Sequence, residues 1–268
     1  MHKYLQYQNK KISYQVIGEG TPVFLLHGFG EDATVWRNQV EYLKDKFQLI
    51  IPDLPGSGQS ELIDDMSMEG MAEVIRTIWD RENPPTPSPE RTCVIGHSMG
   101  GYITLAFAEK YPELLSAFGL FHSSAFADSE EKKATRRKGI EFINKNGAFE
   151  FLKTATPNLF SQVSKDEKPE LIDEQLSLLH NFTPASLVSY YEAMIKRPDR
   201  TNVLLNATVP VLFIMGKYDV AVPMEDGLKQ CHLPEKSYIH ILHKSGHMGM
   251  LEEIDKSNEV LETFLLEK

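Results

Sequence analysis

The chain predicts an α/β fold, a mostly parallel sheet flanked by helices, with a helical insertion past its middle. Short β-rich runs alternate with segments of helical spacing toward both ends of the sequence. Residues 123–206 interrupt that alternation with helical patterns and no convincing strand. A length of 268 residues with 41% hydrophobic content is enough to bury one large core.

Residues 11–16 read as an early strand, followed by a turn over residues 18–22. Residues 23–26 form a compact apolar run that ends in His27-Gly28-Phe29-Gly30, and residues 32–43 then have helical spacing. A second buried strand at 47–51 closes in Pro52 and the loop Asp53-Leu54-Pro55-Gly56-Ser57-Gly58-Gln59-Ser60. Ser67 is placed to cap a helix through Trp79, in which Met71, Val74, Ile75 and Ile78 share a face. Residues 83–90 contain four prolines and read as a stiff surface connection, too short for a domain linker. A strand at 92–95 runs into Gly96-His97-Ser98-Met99-Gly100-Gly101, and helical spacing follows through Lys110.

Residues 115–121 are the next strand. Within the insertion, apolar residues recur at helical spacing: Ile140, Ile143, Phe149 and Leu152, then Leu171, Ile172, Leu176 and Leu179, then Leu187, Tyr190, Tyr191 and Met194. The strand pattern resumes at 209–215 and 238–242 before a terminal helix. The expected division is a core of residues 1–122 and 207–268, with residues 123–206 folded over one end of the sheet.

Composition narrows the partners. The 28 Lys and Arg against 38 Asp and Glu give a net charge of −10 without a basic run, which argues against nucleic acid or an anionic membrane surface. Cys93 and Cys231 make no disulfide framework, and Cys93 on a buried strand reads as core. The N-terminus lacks an apolar signal region, and no apolar stretch approaches the ~20 residues that span a bilayer. No His, Cys or Asp cluster has convincing metal spacing. The expectation is a soluble cytoplasmic protein that acts on a small molecule without metal or cofactor.

Gly96-x-Ser98-x-Gly100 matches the nucleophile elbow, in which a serine sits on a tight, strained strand-to-helix turn. The flanking residues must be small so that strand and helix can approach. A bare Gly-x-Ser-x-Gly is weak evidence; a strand before it and a helix after it make it strong. The glycines of the 53–60 loop raise the alternative of a phosphate loop, but no Gly-Lys-Ser/Thr follows, and the loop reads as structural.

These motifs, together with Gly216-Lys217-Tyr218-Asp219-Val220-Ala221-Val222-Pro223 and Ser245-Gly246-His247, make the chain resemble the α/β-hydrolase family over nearly its whole length. The resemblance implies the α/β-hydrolase fold with residues 123–206 as a helical cap. It also implies a Ser98, Asp219, His247 triad, in the chain order expected for this fold. Serine needs a base to take its proton, and the base needs an anion to fix its tautomer. His247 lies in the loop after the last strand, where the family places its base; His240 and His243 fall in or at the end of that strand, and His27 and His97 neighbour motif glycines that support loops. Asp219 follows the strand at 209–215, whereas Asp226 should already belong to the next helix. The backbone N–H groups of Met99 and Phe29 are the implied oxyanion donors.

Relatives that open epoxides or remove halide carry aspartate at the elbow, so Ser98 points to two-step acyl transfer. Carboxylic ester hydrolysis is the commonest outcome; amide, thioester and carbon–carbon cleavage and peracid formation share the triad. Other proteins resembling the family keep the triad but act as small-molecule receptors. The inner face of the cap should select the substrate. His122, Phe126, Tyr190 and Met194, with Phe149, Phe160, Phe182 and Tyr191, are candidates for an apolar lining around a medium-sized molecule.

Overall fold

Continuous apolar runs in the inner strands build one sheet with two covered faces. The computed structural model describes residues 1–83 and 90–268 and contains β1 (His2–Tyr7), β2 (Lys10–Ile17), β3 (Pro22–Leu26), β4 (Gln48–Pro52), β5 (Thr92–His97), β6 (Leu115–Phe121), β7 (Val211–Gly216) and β8 (Ser237–Leu242). They lie in the order β1-β2-β4-β3-β5-β6-β7-β8. The β1–β2 and β2–β4 pairs are antiparallel, and every pair from β4–β3 onward is parallel. The expected mostly parallel sheet is therefore present.

Strands β3, β5 and β7 are buried along their whole length, as strands covered on both faces must be. Phe24, Val94, Phe118 and Phe213 join one apolar cluster with the helices Met68–Glu82 and Met99–Lys110. Val23, Cys93, Leu212 and Ile214 point the other way, into a cluster with the helices Arg37–Leu43 and Ile254–Glu267.

Strand β1 was not anticipated. Only Leu5 is buried in it, so no apolar alternation marks it. Its turn uses Gln8 and Asn9 at φ of 50° and 64°, the conformation of a two-residue hairpin without the usual glycine. The expected helix at 32–43 is a 3₁₀ turn, Ala33–Trp36, followed by the α-helix Arg37–Leu43. Ser67 caps as expected, its hydroxyl accepting from Gly70 N at 3.0 Å, and Met71, Val74, Ile75 and Ile78 are fully buried. That helix runs past Trp79 to Glu82, where the carboxylate takes Lys3 Nζ at 2.6 Å and Tyr14 OH at 2.7 Å. Of the proline-rich connection, residues 84–89 lie outside the described residues.

Among the described residues, 123–206 contain helices and no strand; the longest are Glu130–Asn146 and Pro184–Lys196. Ile143, Leu152, Leu187, Tyr190 and Met194 join the same apolar cluster as Phe24 and Phe213, while Phe160 joins the cluster with Val23 and Ile214, so the insertion packs against both. No described helix is long and apolar enough to cross a membrane.

This topology also fixes where chemistry can occur. From β3 the chain goes to β4 on one side and later to β5 on the other, which opens a crevice at the carboxyl ends of β3 and β5. The loops leaving β3, β5, β6, β7 and β8 carry His27–Gly30, Ser98, His122, Asp219 and His247 in turn.

Candidate active site

Ser98 sits between β5 and the helix Met99–Lys110 at φ 52°, ψ −115°. A non-glycine residue in that region carries ~1–3 kcal/mol of strain and persists only where neighbours over-determine it. Two bonds do so here: Ser98 N donates to Phe121 O at 2.9 Å, and Ser123 Oγ donates to Ser98 O at 2.7 Å. A Cβ on Gly96 would fall 2.2 Å from Gly100 O, so strand and helix do meet through these two residues. Gly100 has a second duty the motif does not reveal: its own Cβ would lie 2.5 Å from Leu26 O, at the end of β3. Gly96→Ala is expected to cost about 3 kcal/mol or more of stability by denaturant unfolding, because the obstruction is backbone.

Asp219 follows β7 and its side chain is fully buried. Oδ1 accepts from Ala221 N and Val222 N, both at 2.9 Å, while Oδ2 accepts from His247 Nδ1 at 2.8 Å and His122 Nδ1 at 3.1 Å. Burial alone would raise its pKa, but the charge on His247 and the bonds from both histidines outweigh that and hold the carboxyl far below the ordinary range. Burial would lower the pKa of His247; the Asp219 charge and bond, with Glu31 and Glu252 further away, raise it instead. With Nδ1–H held by Asp219, His247 has Nε2 left for a proton. Ser98 and His247 share one cavity wall, although among the described residues no hydrogen bond joins them. The ligand atoms of His122, Asp219 and His247 lie within 4.8 Å of one another, but the ring Nδ1 atoms already donate to the carboxylate, which makes them partners of Asp219 rather than a free metal cage.

His122 does not line the cavity. It sits behind Asp219 with its side chain fully buried, at φ 49°, and its Nε2 has no hydrogen-bond partner among the described residues. Burial pushes its pKa down to about 4, in spite of Asp219. Below the unfolded value near 6.5 the unfolded chain takes up a proton that the folded one refuses until about pH 4. Stability should therefore fall by about 3 kcal/mol between those limits and level off below them. Unfolding free energies at pH 7 and pH 4.5 test this: His122→Gln should lose distinctly less than wild type over that interval.

Two further carboxylates, not singled out in the sequence, surround His247. Glu31, 4% exposed, accepts on Oε2 from Gly28 N at 2.7 Å and His97 Nδ1 at 2.9 Å. Burial acts to raise its pKa, but the neighbouring His97 and the Gly28 N–H bring it below the ordinary range. His97 Nε2 in turn donates to His247 O at 2.9 Å. On the other side, Glu252 Oε1 accepts from Gly246 N at 2.8 Å and Met248 N at 3.1 Å. Its Oε2 accepts from Ser161 N at 2.8 Å and Ser164 Oγ at 2.7 Å, both in the insertion. His247 N also donates to Leu159 O at 2.6 Å. His27 supports its loop as expected, with Nδ1 donating to Gly28 O and Nε2 accepting from Leu54 N, both at 2.9 Å. Among the described residues the amides of Phe29 and Met99, the two expected oxyanion donors, bond to no protein acceptor.

A cavity of about 480 Å³ opens on Ser98 and His247. Of the residues expected to line it, Met194 and Tyr191 do, but Phe126 and Tyr190 do not. Tyr190 is fully buried, its hydroxyl 2.7 Å from Ser57 Oγ and donating to Pro55 O at 2.6 Å. Tyr191, one residue on, stacks on Phe29 with ring centroids 4.4 Å apart and 7° between planes. Nor is the lining simply apolar: Tyr102, Lys132 and Arg136 contribute to it.

Comparison with known proteins agrees with this geometry. The alpha/beta hydrolase fold family matches residues 21–139. The solved structure of a thermophilic esterase from Thermogutta terrifontis, with malate bound, aligns at a TM-score of 0.89 and 27% identity over 99% of this chain and 98% of that one. The 2-hydroxy-6-oxo-6-phenylhexa-2,4-dienoate hydrolase of Comamonas testosteroni is 27% identical, over 96% of this chain and 92% of its own length. The pimeloyl-(acyl-carrier protein) methyl ester esterase of Aeromonas hydrophila subsp. hydrophila is 26% identical, over 95% and 99%. Sheet order, elbow and likeness together give the chain the alpha/beta hydrolase fold.

Proposed function

We propose that the protein is a serine hydrolase that cleaves carboxylic esters through an acyl-enzyme, with Ser98 as nucleophile, His247 as base and Asp219 as its anchor. The observation that supports this most is the His247 Nδ1–Asp219 Oδ2 bond of 2.8 Å, because it turns the other ring nitrogen of His247 toward proton transfer beside a strained serine. Ser98 Oγ attacks the carbonyl carbon as its proton passes to His247 Nε2, and the carbonyl electron pair moves onto oxygen, which faces the amides of Phe29 and Met99. Collapse expels the alcohol, protonated by His247. A water then loses its proton to His247 and attacks the acyl carbon, and Ser98 is regenerated when His247 returns that proton. Residues 123–206 act as the cap that selects the substrate.

A second reading is favoured by the relatives: several are named as hydrolases of 2-hydroxy-6-oxo dienoates, substrates cleaved at a carbon–carbon bond. The deciding measurement is steady-state hydrolysis of p-nitrophenyl esters from acetate to decanoate, with diethyl p-nitrophenyl phosphate labelling read by mass spectrometry. Many turnovers per protein, ended by one phosphoryl adduct on Ser98, are expected. A stoichiometric burst that stalls would instead favour the carbon–carbon hydrolase or a small-molecule receptor. An adduct elsewhere, with Ser98 unmodified, would sink the assignment of the nucleophile.

A further inference from the structure

On the insertion side of the cavity one carboxylate serves two guanidinium groups. Arg136 Nε and Nη2 reach the two oxygens of Asp128 at 2.5 and 3.3 Å, and Arg197 Nη1 reaches Asp128 Oδ1 at 2.9 Å. The side chain of Asp128 is fully buried, Arg197 is 5% exposed and Arg136 19%. This cluster therefore carries one unbalanced positive charge where desolvation is costly. Arg197 is otherwise saturated: it donates to Met194 O at 2.9 Å and Phe126 O at 3.0 Å, and its guanidinium lies 3.8 Å over the Tyr102 ring. Arg136 is the member that lines the cavity, so the excess charge faces the space beside Ser98.

The neighbouring charges do not cancel it. Lys132, one turn earlier on the same helix, also reaches the wall, but its charge is met by Asp226, 3.5 Å away, so the net excess stays at one. Glu31 is committed to Gly28 N and His97, and Glu131 is an exposed residue at the rim. Between the oxyanion loop and Arg136 runs an aromatic wall: Phe29 stacks on Tyr191, and Arg136 Cζ lies 5.5 Å over Tyr191.

We propose that Arg136, assisted by Lys132, anchors a carboxylate at the far end of the substrate's acyl chain, so that the preferred substrates are monoesters of dicarboxylic acids. A single net charge matches one carboxylate, whereas a phosphate dianion would overcompensate it, and the planar guanidinium edge suits a planar anion. The inference rests on acyl transfer at Ser98 as read above.

The test compares kcat/KM for mono-p-nitrophenyl adipate and p-nitrophenyl hexanoate, whose six-carbon acyl chains differ in the terminal carboxylate. Wild type should prefer the adipate by about tenfold or more, chiefly through KM, and added salt should erode that preference. Arg136→Gln should bring the ratio to about one, and Arg136→Lys should fall between. A wild-type ratio of one or less overturns the proposal, as does an adipate preference that survives in Arg136→Gln. The wild-type comparison decides even if a variant fails to fold. Hexanoate turnover without preference would leave acyl transfer standing and remove only this inference; equal cleavage of both esters by Ser98→Ala would remove the reading beneath it.

Discussion

Ser98→Ala is expected to lower kcat for p-nitrophenyl esters by ~10⁴-fold or more while leaving the melting temperature nearly unchanged. Alanine keeps the Cβ, so it inherits the positive φ and the bonds through Ser98 N and O that hold it. What is lost is the hydroxyl, which among the described residues has no hydrogen-bond partner to strand. A large kinetic effect with a small thermal one separates a reacting group from a structural one. Equal rates for mutant and wild type in the linear phase would mean that another group attacks the ester.

Asp219→Asn is the second large effect, a fall in kcat of ~10³–10⁴-fold, the loss found when the anchoring carboxylate of a serine triad becomes an amide. An amide oxygen can still accept from Ala221 N and Val222 N, but its NH₂ then faces both histidine Nδ1 atoms. His247 must shift to the tautomer that protonates Nε2, which leaves it unable to take the Ser98 proton. Stability should drop by about 2 kcal/mol, since charge-assisted bonds in a buried site are replaced by neutral ones. The pH profile isolates the cause. Asp219 raises the pKa of His247, so in wild type kcat/KM is lost as pH falls through a value above 6.5. In Asp219→Asn that acid limb should move to lower pH even as the plateau collapses. A limb that stays put would indicate that another group titrates.

Most of the sheet was legible because its inner strands are continuous apolar runs, and the site loops were legible because each leaves such a run at a glycine or histidine motif. The cavity wall was not. Tyr190 and Tyr191 are adjacent on one helix, about 100° apart around its axis, and spacing alone does not say which turns to the core and which to the cavity. Tyr190 went to the core, where Ser57 and Pro55 take its hydroxyl. Arg136 lies on the helix Glu130–Asn146, whose only buried residue is Ile143, so in sequence it resembles an ordinary solvated face. Glu31 and Glu252 became visible only once folding had buried them among donors. The nearest sequence signals were an acidic residue right after Gly30 and another five residues past His247.

The Glu252 carboxylate has a consequence for partial unfolding. The amides flanking His247 and two donors of the insertion, Ser161 N and Ser164 Oγ, end on the same buried group. If either segment opens alone, it leaves charged oxygen sites and donors unsatisfied on the segment that stays, at a cost comparable to opening both. The two segments are therefore expected to open as one cooperative unit despite lying more than eighty residues apart in sequence. Native-state hydrogen exchange is expected to give the amides of Ser161, Gly246 and Met248 one shared opening free energy under mild denaturant.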